Sequence, residues 1–233
     1  MKDVKVRKAI AMAIDRDALA EIYGGFTMQT CVSYDSPWYN ADIPAWERDV
    51  EGAKTLLEEA GYDFSEGIRL VYYYDDPTTR DAMDYVAANL AELGIKVSPA
   101  LMVGHLGDRI YDVRNWDMMF AAYNVEPAIY AYDLLLPTKP TTKYLGNADF
   151  INAEFVPLFE SFTAESDFAA RKELADQIQQ WEYDNCFYLH AYGLDRITIV
   201  NTSKLEFDPQ IFKAAEASGF DWMWSTWNLY AAK

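Results

Sequence analysis

The stretch Val4-Lys5-Val6-Arg7-Lys8-Ala9-Ile10-Ala11-Met12-Ala13-Ile14-Asp15-Arg16-Asp17-Ala18-Leu19 decides the fold. Apolar side chains at 4, 6, 9, 10, 13 and 14 recur with the period of a helix that buries one side. Asp15 reads as the N-cap of a second short helix, because its carboxylate can accept from free backbone N–H groups. Gly24-Gly25 ends that helix.

Outward from this corner the pattern alternates between two periods. Residues 26–48 lack helical period and hold Pro37, Pro44, Tyr34, Trp38, Tyr39 and Trp46, which makes a long loop whose aromatics argue for order. Val50, Ala53, Leu56, Leu57 and Ala60 form the stripe of a helix over 49–60, stopped by Gly61. A strand is predicted over 68–74, then a helix over 78–93 entered through Asp76-Pro77 and closed by Gly94. A second strand follows at 95–101 and a third at 116–123, after a short helix over 108–114. Strand, helix, strand is a βαβ unit, so the first two strands should be parallel. Residues 126–150, with three prolines, read as loop with short helical turns. A last long helix covers 168–184, and strands are predicted at 187–192 and 196–200. The pattern shows neither internal repeat nor linker, so one domain spans 1–233.

Composition narrows the class. Of 233 residues 51% are hydrophobic and 15% aromatic, which excludes a disordered chain. A formal net charge of −17 leaves nothing to neutralise phosphates, so nucleic acid is not a partner. Cys31 and Cys186 fit no metal motif; one long-range disulfide and two separate buried thiols both remain open.

The opening stretch resembles the "VRxAIxxAIDRxxL" segment of the large extracellular solute-binding proteins of family 5, which serve peptide and nickel ABC importers. Ala53-Lys54-Thr55-Leu56-Leu57-Glu58-Glu59-Ala60-Gly61-Tyr62 is similar to that family's "AKxLLxEAGY" helix. The segments Leu93-Gly94-Ile95-Lys96-Val97, Trp116-Asp117-Met118-Met119-Phe120 and Arg171-Lys172-Glu173-Leu174 follow in the family's order. The resemblance implies an α/β lobe of the periplasmic-binding-protein type (Venus-flytrap, type II), with a mixed sheet flanked by helices. It also implies an N-terminal lobe in the parent protein, the tail from about 194 to 233 serving the inter-lobe return. The implied partners are a peptide or small-molecule ligand and an ABC permease. The implied location is extracellular or periplasmic, with a lipid anchor at the parent's N-terminus. No catalysis and no cofactor are implied.

Peptide-binding members carry an aspartate after the third strand, in a stretch like "W-x-x-D-Y-x-x-P", which pairs with the ligand's α-amino group. Here the stretch is Phe120-Ala121-Ala122-Tyr123-Asn124-Val125-Glu126-Pro127, and Pro127 as register puts Tyr123 in the aspartate's place. A phenol does not neutralise an ammonium, so Glu126 or Asp133 would have to substitute. Ligands of open α/β sheets collect beyond the carboxyl ends of strands. Tyr123, Asn124, Glu126, Tyr130 and Asp133 are therefore the candidate ligand contacts, with Trp38 and Tyr39 from the long loop. Core filling is the alternative role for the aromatics among them.

Catalysis finds little support in the residues. The acid pairs Asp75/Asp76 and Glu58/Glu59 fall where caps and exposed faces are expected. His105 and His190 are the two histidines, 85 positions apart, and suggest no metal site. No phosphate-binding or nucleophile-elbow motif occurs. An extracellular hydrolase acting on glycans or peptides is the rival class, and an oligosaccharide-specific binder of the same fold the rival specificity.

Overall fold

The computed structural model describes residues 2–34, 36–105, 110, 115–122, 128–136, 151–194, 201, 203–207 and 229–231. Helix α1 (Val4–Ala13) begins where Asp3 accepts the Lys5 N–H at 2.7 Å, and it buries Val6, Ala9, Ile10 and Ala13. Helix α2 (Arg16–Tyr23) is capped by Asp15, which accepts from Ala18 N at 3.0 Å. It stops at Gly24, whose φ of 66° is left-handed and open to glycine without strain. Helix α3 (Val50–Glu59) lies across α1, and the Asp49 N–H that precedes it donates to the Met12 oxygen at 2.9 Å.

The predicted βαβ unit is present. Strand β1 (Ile68–Tyr72), helix α4 (Pro77–Ala91) and strand β2 (Val97–Leu101) follow in order, and the strands pair in parallel from Ile68 with Val97 to Tyr72 with Leu101. Strand β3 (Met118–Phe120) joins the other side of β1, also in parallel, giving the order β2-β1-β3. Arg69 of β1 fixes that edge. Its Nε and Nη2 donate to Asp117 Oδ2 and Oδ1 at 2.8 and 2.7 Å, while its backbone N–H reaches Oδ2 at 2.9 Å. Sheet, α1, α3 and α4 enclose a first core with Leu57, Leu70, Met83, Leu90 and Ile95 at its centre. Asn89 on α4 ties this layer to the α1–α2 corner by accepting the Asp15 N–H at 2.8 Å.

A second core lies under the long loop. A 3-10 helix (Ala128–Leu135), a π-helical turn (Ile151–Phe155), helix α5 (Val156–Ala164) and helix α6 (Phe168–Asn185) supply Ile129, Tyr132, Leu135, Phe155, Phe159, Phe162 and Ile178, with Val32 from the loop. Strands β4 (Leu205–Phe207) and β5 (Leu229–Ala231) form a separate antiparallel pair.

The structure corrects several boundaries. The strands predicted over 68–74, 95–101 and 116–123 shorten to the ranges above. Residues 187–192 are not a strand. Their polar groups are taken by side chains instead: Glu182 accepts the Tyr188 N–H at 2.8 Å, and the His190 oxygen accepts from Arg16 at 3.3 Å. Only at Gly193 does this segment bridge another, pairing antiparallel with Phe26. Helix α5 was not expected, although Phe155, Phe159 and Phe162 at helical spacing around Pro157 carry its signal. The helix predicted over 108–114, apart from Ile110, and the strand over 196–200 lie outside the described residues. Cys31 and Cys186 are free thiols, which removes the disulfide alternative.

Candidate ligand-binding site

At the carboxyl end of the parallel sheet four aromatic residues from four segments meet. Tyr23 ends α2, Tyr74 follows β1, Phe120 ends β3 and Tyr192 comes from the extended segment after α6. Tyr23 and Tyr192 stack with centroids 4.2 Å apart and planes 13° from parallel. Phe120 stacks on Tyr23 at 6.1 Å and lies 6.2 Å from Tyr192. Tyr74 meets Phe120 edge-on at 6.0 Å. All four are half-buried. Such a group combines large apolar faces with hydroxyls that need partners.

The hydroxyls are organised from below. Asp76, the N-cap of α4, accepts the Thr79 N–H at 2.9 Å and the Thr79 hydroxyl at 2.8 Å. Those two bonds, the backbone one first, hold its carboxyl below the usual range. Tyr23 Oη donates to Thr79 Oγ1 at 3.1 Å, and the Tyr192 ring lies stacked beside that of Tyr23. Burial pushes both phenols up, and for Tyr192 the neighbouring Tyr23 adds to the effect. Beside the cluster Tyr74 Oη accepts the Ala122 N–H at 3.0 Å and donates to Tyr73 Oη at 3.2 Å. The chain leaving β3 is thus held by a side chain just where the backbone ladder ends.

Most of the residues proposed from sequence fall elsewhere. Tyr123, Asn124 and Glu126 lie outside the described residues. Trp38, Tyr39 and Tyr130 are brought together, but against the second core. Trp38 meets Phe162 edge-on at 5.8 Å, and the Arg171 guanidinium lies 4.7 Å from the Phe162 ring while donating to the Tyr130 hydroxyl. Asp133 is half-buried in the 3-10 helix, where its backbone oxygen accepts the Leu136 N–H at 2.9 Å. Tyr23, Tyr74, Phe120 and Tyr192 were missed. The rule about carboxyl ends of strands pointed towards Tyr74 and Phe120, while nothing local marks Tyr23 or Tyr192.

The acids are engaged structurally. Asp75 pairs with Arg80 at 3.3 Å and Glu59 with Lys5 at 2.9 Å, both at the surface. His190 Nε2 lies 3.2 Å from the buried Glu182 carboxylate. Among the described residues no cluster of three or more His, Cys, Asp or Glu could hold a metal ion. No helix there is long and apolar enough to cross a membrane.

Comparison with known proteins bears on this arrangement. Residues 1–141 match the family described as bacterial extracellular solute-binding proteins, family 5 Middle. A Brucella ovis protein named for peptide binding in an ABC transporter is 36% identical over 103 residues, covering 42% of this chain and 20% of its own length. The periplasmic alpha-galactoside-binding protein of Rhizobium meliloti is 26% identical over 211 residues, covering 77% of this chain and 30% of that protein. Among solved structures, the oligopeptide-binding protein AppA of Bacillus subtilis, in complex with a nonapeptide, superposes with a TM-score of 0.70 at 23% identity. That match covers 83% of this chain and 42% of AppA, and it establishes the shared fold. The chain therefore spans less than a third of these two curated relatives.

Proposed function

The chain belongs to the bacterial extracellular solute-binding proteins of family 5, and we propose that it serves as one lobe of a two-lobed binder. In this reading a solute of peptide size is captured outside the membrane, between this lobe and an N-terminal one, and passed to an ABC permease. The two lobes close by hinge motion. The parent is extracellular or periplasmic and held to the membrane by a lipid at its N-terminus.

The observation that carries the reading is the aromatic group Tyr23, Tyr74, Phe120 and Tyr192 at the carboxyl end of the sheet. This is where open α/β sheets receive ligands, and the surrounding acids are committed to caps and ion pairs. The protein is accordingly read as a binder without catalysis. Tyr123, Asn124, Glu126 and Asp133 remain proposed contacts for the polar ends of the solute. Trp38, Tyr39 and Tyr130 are proposed to act from farther out, on a longer ligand.

Oligosaccharide specificity is a second reading. It is favoured by the stacked phenol rings, which suit sugar faces, and by the length of the match to an alpha-galactoside-binding relative. Calorimetry of the two-lobed protein against peptide and oligosaccharide panels, with product analysis of each mixture, tests both. Saturable one-to-one heat with ligand recovered intact is the expected result. Cleavage of a peptide or glycan would replace the binder with a hydrolase.

A further inference from the structure

Arg171 differs from the other described arginines in what holds it. Arg48, Arg69 and Arg80 each meet a carboxylate, while Arg7 and Arg16 donate to backbone oxygens of distant segments. The Arg171 guanidinium meets no carboxylate among the described residues, although the chain holds 37 acidic side chains against 20 basic ones. Its one hydrogen bond there goes from Nη2 to the Tyr130 hydroxyl, and its Nε is buried without a partner. A guanidinium has five N–H donors, so most of this one's capacity is unspent. The acids near it in sequence serve elsewhere: Asp167 caps α6 by accepting the Ala170 N–H at 2.9 Å, and Asp176 pairs with Lys172. Rings surround the charge instead. The guanidinium lies 4.7 Å from the Phe162 centroid and 5.6 Å from that of Trp38. Phe168 meets Trp38 at 5.1 Å and is 59% exposed. Aromatic faces attract a cation but leave its N–H donors unfilled.

We infer that Arg171, with the Tyr130 hydroxyl and the faces of Trp38 and Phe168, binds a carboxylate carried beside an apolar group. The inference rests on the solute-binding reading above and deepens it, naming the end of the longer solute that Trp38, Tyr39 and Tyr130 hold. A carboxylate offers two coplanar oxygens, which match a guanidinium fork better than any neutral acceptor does. Tyr130 accepts from Arg171, so its own proton is available to a ligand oxygen. The exposed Phe168 ring and its neighbour Trp38 give the adjoining apolar group a seat. The chain's net charge of −17 opposes anions, but charges farther than about 8 Å are largely screened at physiological salt. A peptide ending in an apolar residue and an oligosaccharide ending in a uronate both carry this chemistry.

The test is calorimetry on the two-lobed protein with two matched pairs of probes. One pair is a hexapeptide of uncharged side chains ending in Phe, as free acid and as C-terminal amide. The other is a hexose trisaccharide with and without a terminal uronate. In one pair the acid should bind about tenfold more tightly than its neutral counterpart, and that pair identifies the source of the carboxylate. Arg171→Met should reduce the ratio to about twofold or less, with circular dichroism reporting the fold. Tyr130→Phe leaves the guanidinium in place and should reduce the ratio about threefold, which keeps the test decisive if Arg171→Met does not fold. Equal binding of acid and neutral forms in both pairs, or a ratio that survives the substitutions, would overturn the inference while leaving the solute-binding reading intact. Failure of every probe to bind would overturn both.

Discussion

Arg16 Nη2 donates to the backbone oxygen of Trp46 at 2.7 Å, across 30 residues of sequence. Its Nη1 reaches the oxygens of Met28 at 2.9 Å and His190 at 3.3 Å. One guanidinium that is 5% exposed thus joins the α1–α2 corner, the long loop and the segment that delivers Tyr192. Arg16 lies within the Ala13-Ile14-Asp15-Arg16 motif of the opening stretch. Its place there is structural: it satisfies carbonyls that an irregular loop cannot pair by itself.

Replacing it by an apolar side chain of similar length should be costly. Arg16→Met leaves three carbonyls without their donor, and the expected loss is about 3 kcal/mol or more. Urea unfolding of the isolated chain measures it. A loss under about 1 kcal/mol, the level of an ordinary surface substitution, would show that water replaces the guanidinium there.

Gln179 does for the second core what Arg16 does for the first. It is fully buried; its Oε1 accepts from Thr30 Oγ1 at 3.0 Å and Asn40 N at 3.2 Å, and its Nε2 donates to the oxygens of Trp38 at 2.8 Å and Ala175 at 3.0 Å. Gln179→Glu turns the donating end into an acceptor facing two carbonyls, a loss of about 2–4 kcal/mol at neutral pH. Burial raises the new carboxyl above its unfolded value. Its protonated form is compatible with folding below about pH 4, and stability is lost as pH rises through the folded value. The variant should therefore be closer to the unaltered chain at pH 4 than at pH 7, and an equal gap at both would contradict the assignment.

How much of this was legible beforehand varies with the physics involved. Asp15 and Asp76 were readable as caps because a carboxylate before a helix satisfies donors within three residues, whereas Asp49, read as the first residue of its helix, is that helix's cap. The β1–α4–β2 unit followed from alternating periods, also a local signal. Segment 187–192 alternates like a strand, yet its partners are Glu182 and Arg16, and no spacing rule reports a hydrogen bond to a distant side chain. The site was read in part for the same reason. The end of a strand can be located from sequence, so Phe120 was within reach. Tyr192 meets Tyr23 only after the chain has passed through both cores.

The cysteines give a prediction in the alkaline range. Burial pushes the thiols of Cys31 and Cys186 up to about 12, against about 8.5 for an exposed thiol. The folded chain keeps protons that the unfolded chain releases. Their contribution is complete below about pH 8.5 and is lost as pH rises towards 12, at about 1.4 kcal/mol per pH unit for each thiol. Urea unfolding between pH 7 and pH 10 should show this decline, and Cys31→Ala should flatten it. The native Cys186 thiol should also resist a thiol reagent at pH 8; labelling as fast as in the unfolded chain would contradict its burial.

The share of the cleft that these residues supply is open to direct measurement. Titrating the isolated chain and the two-lobed protein with the same ligand in one calorimeter measures that share. A face removed from a two-sided cleft should weaken binding at least about a hundredfold, or 2.7 kcal/mol, with a fold unchanged by circular dichroism. Equal affinity in the two proteins would mean that residues 1–233 hold the whole site, and the reading of this chain as one lobe would be wrong.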